Sequence, residues 1–409
     1  MAIQWRIHLE RFTALRRNFM RVSGIVAAGI ALGMSASACG SSSTSSSSGS
    51  AIKIGFMGDL SGPASADVTG PWNGANLAVD AYNATNPKVK ITLVKYDSQG
   101  DPTQATNLAT KGVSTDKIVA LIGPAFSGES KAVDPILEQA QIPSVSESAT
   151  NASLSTHGWK YWHRIVTNDD VQGPAAADFA AKGLGSKKAF VVDDKSAYGG
   201  PIAAAVKAGL TTDGVSIVGT DSVDPKAVDY STTVAKVKAS GADFVYYGGY
   251  YQGAGKLLKQ LREGGVKTAA FASGDGSRDP GLITAAGAAN VTSTFATCPC
   301  LVAAVGSATG PMAKFQTDYK AKFGSDPSIY SAEGYDVASL YIQAVKAGKI
   351  TGPDINTYLS TADFQGVSKE IKFAPTGEPA TKQIYIYQFN GATNALDLLG
   401  PSDTAKPKA

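Results

Sequence analysis

Ile52-Lys53-Ile54-Gly55-Phe56-Met57 is a run of β-formers closed by the turn Gly58-Asp59-Leu60-Ser61-Gly62-Pro63, and a helical stretch from about Trp72 to Asn83 follows it. This strand–turn–helix unit decides the fold because it recurs. Val89–Tyr96, Ile118–Ile122 and Pro143–Val145 read as further strands, separated by helical stretches at Thr103–Val113 and Ser130–Ala140. Strands alternating with helices in this way predict a parallel sheet covered on both faces. The rhythm restarts after Val171. Helix Pro174–Lys182 leads to strand Ala189–Val192, Ile202–Leu210 to Val215–Val218, Tyr230–Lys238 to Asp243–Tyr247, and Ala254–Glu263 to Ala269–Ala272. The expected architecture is α/β, with two Rossmann-like lobes, each of a size that suits one core. Helices at about Met312–Phe323 and Ala332–Ala347 must pack on one of them.

The 409 residues, 43% hydrophobic and 17% charged, exceed what one core accommodates, since single cores stop growing near ~250–300 residues. An aromatic content of 8% and a mean hydropathy of −0.04 exclude a disordered chain and a polytopic membrane protein. Residues 1–38 hold five arginines (Arg6, Arg11, Arg16, Arg17, Arg21) against Glu10, a surplus of four, so the formal charge of +3 becomes −1 without them. A nearly neutral chain gives no reason to expect nucleic acid or an acidic polymer as partner.

Those arginines precede the apolar stretch Val22–Met34 and the small residues Ser35-Ala36-Ser37-Ala38-Cys39. An apolar run shorter than the ~20 residues of a membrane span, flanked in this way, reads as a secretory signal peptide over residues 1–38. The end of it resembles a bacterial lipobox, with Ala36 where that pattern usually has leucine. The resemblance implies that Cys39 is lipidated, becomes the new N-terminus and anchors the protein to the outer face of the cell membrane. Residues 39–50 are then a lipidated cysteine and a Ser-rich tether with nothing to bury.

The other cysteines, Cys298 and Cys300, flank Pro299. Zinc needs two more ligands, and only His157 and His163 follow residue 38, far away in sequence. A disulfide between cysteines two apart is strained on an extended strand, so thiols that are packed or paired elsewhere are expected, with no metal. Catalytic signatures are missing too. The nearest string to G-x-S-x-G, Ala125-Phe126-Ser127-Gly128, lacks its first glycine, and there is neither a Walker A loop nor a dinucleotide fingerprint. Ser114-Thr115-Asp116-Lys117 matches S-x-x-K without its companion motifs. The pairs Asp169-Asp170 and Asp193-Asp194 lie near strand ends, where alternate side chains point opposite ways and loop or capping roles are favoured. The chain is not expected to be an enzyme or to carry a cofactor.

In open parallel sheets, ligands bind where strands lead into helices. Ile122-Gly123-Pro124-Ala125-Phe126-Ser127-Gly128 and Ser146-Glu147-Ser148-Ala149-Thr150-Asn151 are two such turns. Their hydroxyls and free N–H groups suit either helix capping or an anion. Two consecutive turns of the same chemistry favour a carboxylate pocket.

The Ser148–Thr150 turn, with Ile54–Pro63, Lys95-Tyr96-Asp97, Asp101-Pro102, Gln104-Ala105, Asp193–Gly199 and Asp243–Tyr250 in this order and spacing, makes the chain resemble the substrate-binding proteins of branched-chain amino acid ABC transporters, of the leucine/isoleucine/valine-binding type. The resemblance runs from Ile52 to about Leu399. It implies a type I periplasmic-binding fold in which two lobes, joined by three crossovers, close on a ligand. Lobe 1 is then 51–168 plus 301–375, lobe 2 is 169–300 plus 376–400, and 401–409 is a solvated tail. The crossovers fall near Thr167–Asp170, Thr297–Leu301 and Ala374–Thr376, which puts Cys298, Pro299 and Cys300 in a hinge. Carried over residue by residue, Ser127 takes the ligand α-carboxylate, and Ser148 and Thr150 grip carboxylate and ammonium. Asp275 pairs with the ammonium from an open cleft that leaves it hydrated, and Tyr198 and Tyr250 close over the ligand. Asp67 stands where the family often has an aromatic residue over the side-chain pocket. It disfavours a purely apolar side chain or invites a polar or cationic group, and Trp72 is the candidate to fill the gap. The implied function is that of a monomeric, lipid-anchored receptor delivering an amino acid to an ABC permease. The other class is a sensor of the same fold for an amide or urea-type molecule.

Overall fold

The computed structural model describes residues 50–302 and 306–408; the expected signal peptide, Cys39 and most of the expected tether lie outside them. Along the chain the first series is β1 (Ser50–Gly58), α1 (Ser65–Ala84), β2 (Val89–Asp97), α2 (Pro102–Lys111), β3 (Ala120–Ile122), α3 (Ser127–Ala140), β4 (Ser144–Ser146) and β5 (Trp162–Arg164). The second is α4 (Asp169–Asp178), β6 (Lys188–Asp193), α5 (Gly199–Thr212), β7 (Ser216–Ser222), α6 (Ser231–Ser240), β8 (Phe244–Gly248), α7 (Tyr251–Glu263), β9 (Ala270–Ser273), α8 (Gly281–Ala286) and β10 (Thr294–Cys298). The chain then returns to lobe 1 with α9 (Gly310–Phe323), α10 (Ser331–Lys346), α11 (Gly352–Leu359) and a small ribbon of β11 (Phe364–Gln365) and β12 (Glu370–Ile371). It ends in lobe 2 with β13 (Tyr385–Asn390) and β14 (Ala395–Pro401).

Lobe 1 is built on a parallel sheet of order β2-β1-β3-β4-β5. Lobe 2 has the order β14-β13-β10-β9-β8-β6-β7, parallel except for β13 and β14 at one edge. Period-two alternation sends neighbouring strand residues to opposite cores. Phe56 and Ile122 face α1 and α10 with Val79, Leu340 and Tyr341, whereas Met57 and Leu121 face Val133 and Leu137 of α3. In lobe 2, Val245 and Tyr247 meet Leu257, Leu258 and Leu261 of α7, while Phe244 and Tyr246 meet Ile202 and Val206 of α5. Central strands such as β3 and β8 are buried on both faces and read as continuous apolar runs, whereas the edge strands β2, β7 and β14 are partly exposed.

Several boundaries differ from the sequence reading. α1 begins at Ser65, not near Trp72, and carries Pro71 inside it. Backbone-close packing overrides the Gly70-Pro71 break, because a Cβ on Gly74 would lie 2.0 Å from the Ser331 carbonyl oxygen of α10, and one on Gly334 2.2 Å from that of Pro71. The third passage between lobes lies beyond Gly377 rather than at Ala374–Thr376. There Arg164 of β5 donates through its backbone N–H to Gly377 O (3.0 Å) and through Nε to Glu378 (3.1 Å), and Gln383 N–H reaches Thr167 Oγ1 (3.2 Å). The C-terminal residues are not a loose tail either. Ala405 is buried in the lobe-2 core, and Lys408 N–H donates to Gln388 Oε1 at 2.8 Å.

Cys298 and Cys300 form a disulfide with each other, contrary to the expectation of separate thiols. That expectation rested on an extended backbone. β10 instead ends at Cys298 and the chain turns at Pro299, bringing the two Cα atoms to 5.0 Å, within disulfide reach. Tyr387 of β13 fixes the turn, donating to Cys300 O (2.9 Å) and accepting from Val302 N–H (2.8 Å).

Candidate functional site

Between the carboxyl ends of the two sheets lies a half-enclosed pocket lined by residues of both lobes. Lobe 1 supplies the start of α1 (Asp67, Val68), the β3–α3 turn (Ala125, Phe126, Ser127), the turn after β4 (Ser148, Ala149, Thr150) and the approach to α10 (Ile329, Tyr330). Lobe 2 supplies Tyr198, Tyr250, Asp275 and Gly276. Contacts across the mouth hold the lobes together. Tyr251 hydroxyl donates to Pro63 O at 3.2 Å, Gln252 Nε2 donates to the same carbonyl, and Asn151 Nδ2 donates to Ala197 O. The Phe126 and Tyr250 rings meet edge to face at 5.2 Å.

Ser127 is the first residue of α3, whose leading N–H groups have no partner within the helix. Its hydroxyl oxygen accepts from Asn151 N–H at 3.2 Å, which leaves its proton for another acceptor. The Thr150 hydroxyl is buried without a hydrogen-bond partner. The Ser148 hydroxyl is committed to Ala125 O at 2.7 Å, so only its backbone is available to a ligand. Arg164, buried on β5, donates through Nη1 to the carbonyls of Ala149 and Asn151, each at 2.9 Å, and thereby shapes this turn.

Asp275 faces these groups from lobe 2, but not as a hydrated carboxylate. It is 4% exposed. Its Oδ1 accepts from Tyr198 hydroxyl and Gln172 Nε2, both at 2.9 Å, and its Oδ2 from Tyr330 hydroxyl at 2.7 Å. Since each oxygen takes two donors, Oδ2 has room for one more. Burial pushes the carboxyl above its usual range while the three donors pull it back. Burial also holds Tyr198, Tyr250 and Tyr330 well above the usual phenol range, so they are neutral donors.

Asp67, in the first turn of α1, is buried, and neither oxygen has a hydrogen-bond partner. Burial, and then the carboxylates of Asp279, Asp275 and Asp59, push it well above the usual range against the pull of Arg278. Trp72, by contrast, does not line the cavity. One turn further along α1 it packs edge-on against Phe56 at 5.3 Å, with Lys95 Nζ 5.8 Å from a ring centroid. Asp193 and Asp194 serve their own turn, accepting from the N–H groups of Lys195 and Ser196, each at 2.9 Å.

The structure thus brings Ser127, Ser148, Thr150, Tyr198, Tyr250, Asp275 and Asp67 to one cavity and leaves Trp72 out. Tyr330, Gln172 and Arg164 were missed. Each comes from a distant stretch with no motif around it, and only the left-handed backbone of Tyr330 (φ 57°) marks it as special. Among the described residues no His, Cys, Asp or Glu cluster could hold a metal ion, and no helix is long and apolar enough to cross a membrane.

The family model described as "Periplasmic binding protein" matches residues 51–394. The chain is 35% identical over 219 residues to the Leu/Ile/Val/Thr-binding protein of Salmonella typhimurium, a match that spans 53% of this chain and 60% of that relative's length. It is 29% identical over 346 residues to the amino acid binding protein of Pseudomonas aeruginosa, covering 83% and 90% of the two chains. It superposes with a TM-score of 0.77, at 27% identity, on the branched-chain amino acid transporter substrate binding protein of Streptococcus pneumoniae in complex with isoleucine, covering 86% of this chain and 100% of that one. With two parallel-sheet lobes closed over one cavity and a family model that runs along nearly all of them, the chain belongs to the periplasmic binding proteins, a family of solute-binding proteins and not of enzymes.

Proposed function

We propose that this protein is an extracytoplasmic receptor that closes on an α-amino acid and delivers it to an ABC permease, held to the outer face of the membrane by a lipid on Cys39. The observation that carries the ligand class is the opposition of Asp275, which is buried, to the N-terminus of α3 across one pocket. A carboxylate with a vacant lone pair on one wall and a helix N-terminus with free hydroxyls on the other are complementary to a zwitterion. In this reading Ser127 and Thr150 take the α-carboxylate, Asp275 and the Ser148 carbonyl take the ammonium, and Tyr198 and Tyr250 cover the ligand. The Cys298-Pro299-Cys300 turn, in the second passage between lobes, is part of the hinge.

Mass spectrometry of small molecules released from the tag-free mature protein tests the ligand class. An α-amino acid is expected, and an amide or urea-type molecule without an α-ammonium would replace this reading with that of a sensor for neutral solutes. Cys39→Ser should move the protein from the membrane fraction to the medium, and unchanged membrane association would count against the anchor.

A further inference from the structure

With an α-amino acid's carboxylate at Ser127 and Thr150 and its ammonium at Asp275, the lining that remains for its side chain includes Val68, Phe126, Ile329 and Asp67. Three of these are apolar. The fourth is a carboxylate buried with no donor on either oxygen.

Its acidic neighbours are all satisfied. Asp59 accepts from the N–H groups of Gly62 and Ala64, Asp275 from three side chains, and Asp279 from Gly281 N–H at 2.6 Å. Arg278, a cation whose charge reaches Asp67, is stacked over the Tyr387 ring at 4.1 Å, and no described lysine or arginine lines the pocket. A carboxylate in a buried, acid-rich place costs free energy unless something donates to it, and no described residue supplies a donor. The ligand can.

On the reading that the ligand is an α-amino acid, we propose that its side chain ends in a cationic nitrogen donor paired with Asp67, so that the substrate class is the basic amino acids rather than the branched-chain ones. The methylene stem of such a ligand packs on Val68, Phe126 and Ile329 while its charged head reaches the carboxylate. Its two cationic centres then meet Asp275 and Asp67, and its one carboxylate meets the α3 N-terminus. An isoleucine or leucine in the same place sets methyl groups against an unpaired acid, which a binding site penalises because the buried polar group stays unsatisfied.

Calorimetric titration of the ligand-stripped mature protein with L-lysine, L-ornithine, L-arginine, L-leucine, L-isoleucine and L-glutamine tests this. At least one basic amino acid is expected to bind tenfold or more tighter than leucine. Asp67→Leu is expected to reverse that order, and thermal melting checks that this variant is folded. The wild-type order of affinities stands by itself if it is not. Leucine or isoleucine binding the wild type as tightly as the basic amino acids overturns the assignment while leaving amino-acid binding intact. So does glutamine outbinding them, since a neutral donor then suffices. Binding of none of the six overturns both this assignment and the amino-acid reading beneath it.

Discussion

Asp275 and Asp67 are two carboxylates at one cavity with different provisioning. Asp275 is held by Tyr198, Gln172 and Tyr330, the last reaching it from the other lobe, so the residue proposed to meet the ligand is also a latch between lobes. Removing it leaves a ligand ammonium desolvated and unpaired, at roughly 2–5 kcal/mol. Asp275→Ala is therefore expected to weaken ligand binding by about 30-fold or more, at 1.4 kcal/mol per tenfold, with Asp275→Asn between, and calorimetry reads both. A second residue-scale expectation concerns pH. Glu147 is buried, and burial, then Glu129 and Glu333, push its carboxyl from 4.5 up to about 8 against opposing hydrogen bonds. A carboxyl raised on folding holds its proton in the native state, so its contribution is full below pH 4.5 and is lost as pH rises through about 8. His163, which burial pushes down to about 4, acts with the opposite sign only below its usual 6.5. The melting temperature should therefore fall from pH 7 to 8.5, and Glu147→Gln should flatten the fall; an unchanged slope would rule out this role. At this scale the resemblance supplied a motif for Ser127, Thr150 and Asp275, and the structure places all three at one pocket. The sequence was silent at Arg164, Gln172 and Tyr330, whose roles depend on partners up to 214 positions away.

Among elements, strands and helices of the two βα series were readable because each is a short apolar run or an amphipathic stretch bounded by turn residues. The misses have physical causes. β5 has three residues, too few to show a period, and the pairing of β13 and β14 at the edge of the lobe-2 sheet is a tertiary fact. The true start of α1 was hidden by Pro71, and it is what carries Asp67 into the pocket. Gly74 is the residue that allows α1 and α10 to touch at the backbone. Gly74→Ala is expected to destabilise the folded chain by about 1–3 kcal/mol or more, the usual cost of overpacking, measured by denaturant unfolding. The disulfide gives an element-scale expectation too. With both thiols oxidised and no ligand cluster among the described residues, metal analysis should find no stoichiometric zinc. A stoichiometric signal that disappears in Cys298→Ser would contradict it.

The two lobes are joined by three passages, which suits hinge closure about chain segments at element ends. The closed form described here buries Asp67 without a donor and the Thr150 hydroxyl without a partner. Without a ligand to satisfy them, that form is disfavoured and opening hydrates both groups. Neither lobe alone surrounds a small zwitterion, so binding and closure are one event. Small-angle scattering of the ligand-stripped mature protein, alone and with each of the common L-amino acids at saturating concentration, tests this directly. A smaller radius of gyration is expected with at least one amino acid, and Asp275→Ala should fail to respond to that amino acid at the same concentration. An unchanged radius with every amino acid, or closure that survives the loss of Asp275 undiminished, would contradict a clamp that closes on an α-ammonium.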